Sequence, residues 1–291
     1  MDALLEPLAF QFFQRALLAS VLAGVVCAVV GSYVVLKGLA FIGDAVAHAA
    51  FPGVVAAFIL GGPYVIGGGI AAFATAISIG WISRRAHLRV DTAIGVVFAG
   101  TFALGILMYS TIRGFVGDLF GFLVGNVLAI GADDLIGLLV LGAIVLLIVA
   151  VLWKELLYAT FDPLGAAASG LPVGGLEYLF LGLVALTIVV SLQAVGIILV
   201  VAMLVTPAAT AQLLTVRFSR LIVLATLIGG TTAVAGLYLS YWLDVASGAT
   251  IVLVQTALFL AVLAVSPRSG LSGRLRVLPR SYLEGSSGAG P

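Results

Sequence analysis

Residues 38–60 read GLAFIGDAVAHAAFPGVVAAFIL. Crossing the hydrocarbon core of a bilayer takes roughly 20 consecutive apolar residues, and this run is long enough. It nevertheless carries an aspartate, Asp44, and one helical turn later a histidine, His48. On a helix that spacing puts both side chains on one face. An ionisable group inside a membrane is costly, so the shared face must meet protein or a water-filled path rather than lipid.

The rest of the chain has the same character. It has 291 residues, 63% of them hydrophobic and only 9% charged. Its mean hydropathy is +1.31. A soluble domain carries about 25% charged residues, so this chain cannot clothe a water-facing surface. Apolar runs recur along its whole length. The short alternating segments of a β-barrel do not appear. The fold class expected is all-α, a polytopic transmembrane helical protein in the cell (inner or plasma) membrane.

Cutting the chain at charges, Gly and Pro predicts nine spans. They run approximately over 13–36, 38–60, 63–83, 92–112, 134–153, 176–193, 195–215, 220–243 and 249–266. A shorter apolar piece within 114–133 reads as a re-entrant or interfacial helix. Its Gly121 and Gly125 form a weak GxxxG contact signal. Residues 1–270 are expected to form one transmembrane domain, and the Gly/Ser-rich 271–291 a disordered cytoplasmic tail. The start of the chain lacks the basic region and cleavage site of a signal peptide, so the helices themselves would direct insertion.

Nine spans sort the charges. Lys37, Arg84, Arg85, Arg89, Lys154, Arg217, Arg220, Arg268, Arg274, Arg276 and Arg280 all fall at one end. Arg15 and Arg113 fall at the other, together with Asp2, Glu6, Asp118, Asp133, Asp134 and Asp244. The positive-inside rule then predicts an outside N-terminus and a cytoplasmic C-terminus.

A carboxylate beside an imidazole suits a borderline divalent cation such as Mn²⁺, Fe²⁺ or Zn²⁺. Two ligands are too few for a full shell; a two-fold dimer would bring four to its axis. Two other readings stay open. Asp44 and His48 can simply join helices by a hydrogen bond, or relay protons. Pro52 and Gly53 follow on the same helix and suggest a kink or a close approach by a neighbour. In span seven, Pro207 interrupts the helix between Thr206 and Thr210, which share a face. This is either a hinge or pore lining, or a packed kink.

A second local signature lies at 161–171, FDPLGAAASGL. Asp162 can cap a helix whose first turn holds Pro163. Gly170 suits the position just past its end. Between them Leu164, Gly165 and Ala166–Ser169 make a short helix with a small-residue face.

Beyond these residues, GLAFIGDAVAHAAFPGVVAAF (38–58) resembles the signature of the membrane subunits of zinc/manganese/iron ABC importers. Four further blocks fit that family in order: DTAIGVVFAGTFALGIL (91–107), FLVGNVLAI (122–130), GIILVVAMLVTPAATAQLLT (196–215) and SGATIVLVQTALFLAVLAVSPR (247–268). The resemblance covers roughly residues 12–270. It implies a homodimeric permease, or one half of a near-identical pair. A cytoplasmic ATP-binding subunit would dock on one face, and an extracytoplasmic metal-binding protein would deliver the ion to the other. It implies that Asp44 and His48 contact the metal. It also implies that Asp162, Pro163, Leu164, Gly165, Gly170 and Leu171 belong to the segment that couples to the ATPase; an ordinary connecting helix is the alternative. Where the family often has Ser before the histidine, this chain has Ala47.

The sequence carries no nucleotide site of its own. A P-loop needs Lys after Gly, whereas Lys37 follows Leu36 and Lys154 follows Trp153. The two histidines, His48 and His87, cannot form an HExxH helix, and the single Cys27 cannot build a thiolate zinc site or an internal disulfide. The expectation is therefore a transport subunit and not an enzyme. It would bind no permanent cofactor and carry Mn²⁺, Zn²⁺ or Fe²⁺ as cargo, the reading leaning to manganese or zinc. Lipid and protein partners are expected, nucleic acid is not. A proton-coupled secondary metal transporter is the alternative.

Overall fold

In the computed structural model, residues 5–112 and 127–266 are described. The suggested re-entrant piece, the Gly121–Gly125 motif and the C-terminal tail lie largely or wholly outside the described residues. Among the described residues eleven α-helices are found: α1 Gln11–Leu36, α2 Ile42–Leu60, α3 Tyr64–Arg85, α4 Val90–Ser110, α5 Ala132–Val151, α6 Trp153–Phe161, α7 Pro163–Ala168, α8 Val173–Val195, α9 Ile197–Leu214, α10 Phe218–Leu243 and α11 Ser247–Val265. Among the described residues, nine of these are long and apolar enough to cross a membrane, all but α6 and α7. No strand occurs among them.

The spans agree with the sequence expectation except at the start of α2. That helix begins at Ile42, not at 38. The cause is local. Gly38 takes a left-handed φ of 68°, and the N–H of Leu39 returns to the carbonyl of Val34 at 2.9 Å. This closes α1 in a glycine-terminated cap. Asp44 therefore stands in the first turn of α2, not deep within a span.

α1 is the hub. It packs on α5, α8, α9 and α10, and Phe13, Ala16, Ala19, Ala23, Cys27 and Val34 along it are fully buried. Small residues set the spacing. A Cβ on Gly31 would collide with the Leu204 backbone of α9, whose carbonyl carbon would lie 2.7 Å away. Only a hydrogen side chain permits that approach. Cys27 is a packing residue here, its thiol 3.6 Å from the Ser191 hydroxyl of α8. α4, α5 and α11 are the least covered spans.

The basic end of the bundle is bound together by side chains. Arg84, at the end of α3, pairs with Glu177 of α8 and lies over the Tyr178 ring. Lys37 lies over Phe180, 5.4 Å from its centroid. Beneath them Tyr33 meets Phe218 edge-on at 4.8 Å, and Phe218 meets Trp153 at 5.3 Å and Phe161 at 6.2 Å. Trp153 and Phe161 open and close α6, so this aromatic cluster seats α6, and with it α7, on the ends of α1 and α10.

Candidate metal path

The site is built on α2 and walled by α4. The carboxylate of Asp44 benefits from its place in the first turn, where the helix dipole favours negative charge. Nδ1 of His48 lies 3.0 Å from the Asp44 backbone carbonyl and 3.2 Å from its Oδ1. Both neighbours are acceptors, so Nδ1 carries the proton and donates. In the neutral ring, Nε2 is then left with a free lone pair, the arrangement in which an imidazole ligates a metal. Although α2 is mostly buried, the Asp44 and His48 side chains keep 42% and 30% of their surface. The two polar groups thus remain accessible on the single chain.

Two aromatics from α4 hold the imidazole. Phe98 and Phe102 meet it edge-on, at 5.7 and 5.6 Å between centroids. They stack on each other at 5.9 Å. Their i, i+4 spacing within 91–107 was available in the sequence, but two Phe residues in an apolar helix carry no signal of their own. Only the packing of α4 on α2 gives them a role.

Pro52 lies one turn beyond His48 and brings no N–H to the His48 backbone carbonyl. It is buried, and its ring fills the space at Gly105 of α4, where an added Cβ would sit 3.1 Å from the proline Cδ. Gly53 faces Gly67 of α3 so closely that either Cβ would strike the other's backbone. The Pro52–Gly53 pair thus fixes α2 against both neighbours.

The other proline-broken helix is arranged differently. Pro207 and Thr210 of α9 are buried, and the Thr210 hydroxyl donates to the Thr206 carbonyl at 2.7 Å. Ala208 and Ala211 pack with Ala28 of α1 and with Leu221 and Ala225 of α10. Thr206 keeps partial exposure. This segment and the Asp44–His48 pair do not form one site. Among the described residues no group of three or more His, Cys, Asp and Glu side chains gathers.

The 161–171 segment is folded as its residues dictate. The Asp162 carboxylate accepts from the Gly165 N–H at 2.8 Å, and Pro163 opens α7. At the other end Gly170 has a φ of 87°, and the N–H of Leu171 returns to Ala166 at 3.1 Å. Ala166 packs under Leu171, Ala159 and Leu176. Leu164, in contrast, is 85% exposed. An apolar side chain projects from the basic end beside the exposed Asp162 and Pro163.

Nine candidate spans, a half-open polar pair and a projecting short helix define a class, the multi-pass membrane permease. The family model of the ABC 3 transport family matches residues 9–266. The manganese transport system membrane protein MntC of Halalkalibacterium halodurans is 45% identical, over 92% of each chain. The chelated iron transport system membrane protein YfeD of Yersinia pestis is 41% identical, over 89% of this chain and 86% of its own. Among solved structures, PsaBC from Streptococcus pneumoniae in complex with Fab superposes with a TM-score of 0.81 and 37% identity, covering 92% of this chain and 96% of that one. The chain belongs to the ABC 3 transport family, and it is a transport subunit of the cell membrane rather than an enzyme.

Proposed function

We propose that the chain is the permease of an ATP-driven importer of a divalent transition metal, with manganese or iron as cargo. The names of its relatives support those two metals, within the set of manganese, iron and zinc that the donor pair suits alike. A separate ATP-binding subunit supplies hydrolysis, and an extracytoplasmic protein delivers the ion. Membership of an ABC family speaks against the proton-coupled alternative.

The observation that carries the reading is the half-exposed Asp44–His48 pair, with Nδ1 committed and Nε2 free. One pair offers too few ligands to hold an ion firmly. A second copy facing it across a two-fold axis would complete a transient site, and weak binding suits a path that must also release. The basic end faces the cytoplasm by the positive-inside rule. The ATP-binding subunit docks there on α7, with Leu164 as the projecting anchor. Its closure moves α6 and α7, and the aromatic cluster around Phe218 passes that movement to α1 and α10.

The test is elemental analysis of cells carrying the intact system, an Asp44→Ala permease, or a hydrolysis-dead ATP-binding subunit, at matched membrane expression. A rise in cell manganese or iron only with the intact system is expected. Normal accumulation with Asp44→Ala would make the pair structural.

A further inference from the structure

Gln255 lies in the apolar helix α11 with 1% of its surface exposed. Neither its Nε2 nor its Oε1 has a hydrogen-bond partner. Buried carboxamides are nearly always bonded, and one that is not calls for an explanation.

Its surroundings can be placed by register. α9 and α11 run parallel. A Cβ on Gly248 would lie 3.9 Å from the Leu199 Cβ, and near the far ends the Ser266 hydroxyl donates to the Leu213 carbonyl at 3.1 Å. Gln255 follows Gly248 by two turns, as Thr206 follows Leu199. It therefore stands level with the Met203–Pro207 turn of α9. On its other side lies α10, where Gly236 packs on Ile251. One turn along is Thr232, whose hydroxyl is already given to the Ile228 carbonyl at 2.6 Å. The Thr210 hydroxyl is likewise given to its own helix, at Thr206. The acceptor at this level that has lost its intrahelical donor is the Met203 carbonyl, because Pro207 has no N–H to offer it.

We propose that Gln255 is a positioning residue for transport, forming with the Met203 carbonyl freed by Pro207 a polar hinge that is open in this conformation and closed in another state of the cycle. In this state the carboxamide has no partner and the carbonyl lacks its intrahelical donor, which disfavours the state. A bend of α9 at Pro207 brings the carbonyl onto Nε2 and repays both groups at once. The hinge thereby biases the permease toward moving.

This rests on the transport reading, and the test separates the two. Gln255→Met keeps the volume and the unbranched shape while removing the amide. The expected result for the permease with its ATP-binding subunit is a roughly tenfold loss of Mn²⁺ uptake, with ATP hydrolysis retained, and a higher melting temperature for the purified permease. Pro207→Ala gives the Met203 carbonyl its intrahelical donor and so withdraws the partner. It should lower uptake too, and the double variant should be no worse than the single ones, because both remove one interaction. Normal uptake by Gln255→Met, a lowered melting temperature, or losses that multiply in the double variant would each overturn the hinge. If the wild-type complex moved no metal, the functional reading would fall, while the melting temperatures would still decide whether the amide is unpaired at rest.

Discussion

α2 and α9 look alike in sequence. Each is an apolar span broken by a proline, Pro52 or Pro207, with polar side chains at i, i+4 spacing near it. The folded chain treats them in opposite ways. In α2 the proline is packed away on Gly105 and the polar pair is left half-open. In α9 the proline and Thr210 are both inside, and the Thr210 hydroxyl serves the helix itself. A proline in a membrane helix frees a carbonyl in either case. What the break is used for depends on which face the neighbours cover.

The comparison breaks most easily at His48. His48→Ala should abolish metal accumulation while leaving membrane expression intact, since the side chain is held mainly by its own turn and by two rings. Lowering pH should act in the same direction, because protonation removes the Nε2 lone pair needed for ligation. Uptake that rises on acidification, followed by isotope flux across a pH series, would instead make the pair a proton carrier and erase the contrast.

Gly31→Val tests the α9 side. The added side chain must displace the Leu204 backbone, and overpacking of this kind costs about 1–3 kcal/mol. We expect reduced membrane accumulation and a lower melting temperature, with any surviving protein transporting poorly. A variant of normal stability would mean that α1 and α9 are not so tightly joined and that α9 moves freely.

Asp162→Ala sharpens a different point, whether α7 must be preformed. Loss of the cap to Gly165 costs about 1 kcal/mol locally. The expectation is a several-fold fall in uptake with little change in overall stability, read by comparing uptake with the melting temperature. An unaffected rate would reduce α7 to a connector.

The smallest effect is expected at Thr210→Val. Its hydroxyl bonds only within its own helix, and Val keeps the β-branched shape, so uptake should change less than about twofold. A large loss would give the Thr210 hydroxyl a part in transport and bring the two helices back together.

Much of this was legible in the residues. The nine spans follow from hydropathy, and eight began within a few residues of expectation. The second did not, because the Gly38 turn is a matter of one backbone angle rather than of composition. The caps of α7 could be read in advance, since Asp162, Pro163 and Gly170 act on their own backbone. The pairing of Asp44 with His48 was likewise given by helical spacing. The Phe98 and Phe102 walls and the unpartnered Gln255 were not, although all three stood in quoted stretches.

The sequence by itself determined that this chain spans a membrane, where its helices run, which end is basic, and that an acid and an imidazole share a turn. The tertiary structure decided which of the two proline-broken helices leaves its polar pair part-exposed, which nitrogen of His48 is free, and that Gln255 is buried without a partner. The division has a physical cause. A membrane helix is apolar on every side, so hydropathy marks its length but not its inward face. That face is chosen by close contacts between small residues on different helices, such as Gly31 at Leu204 and Gly53 at Gly67, and no local pattern encodes those pairings.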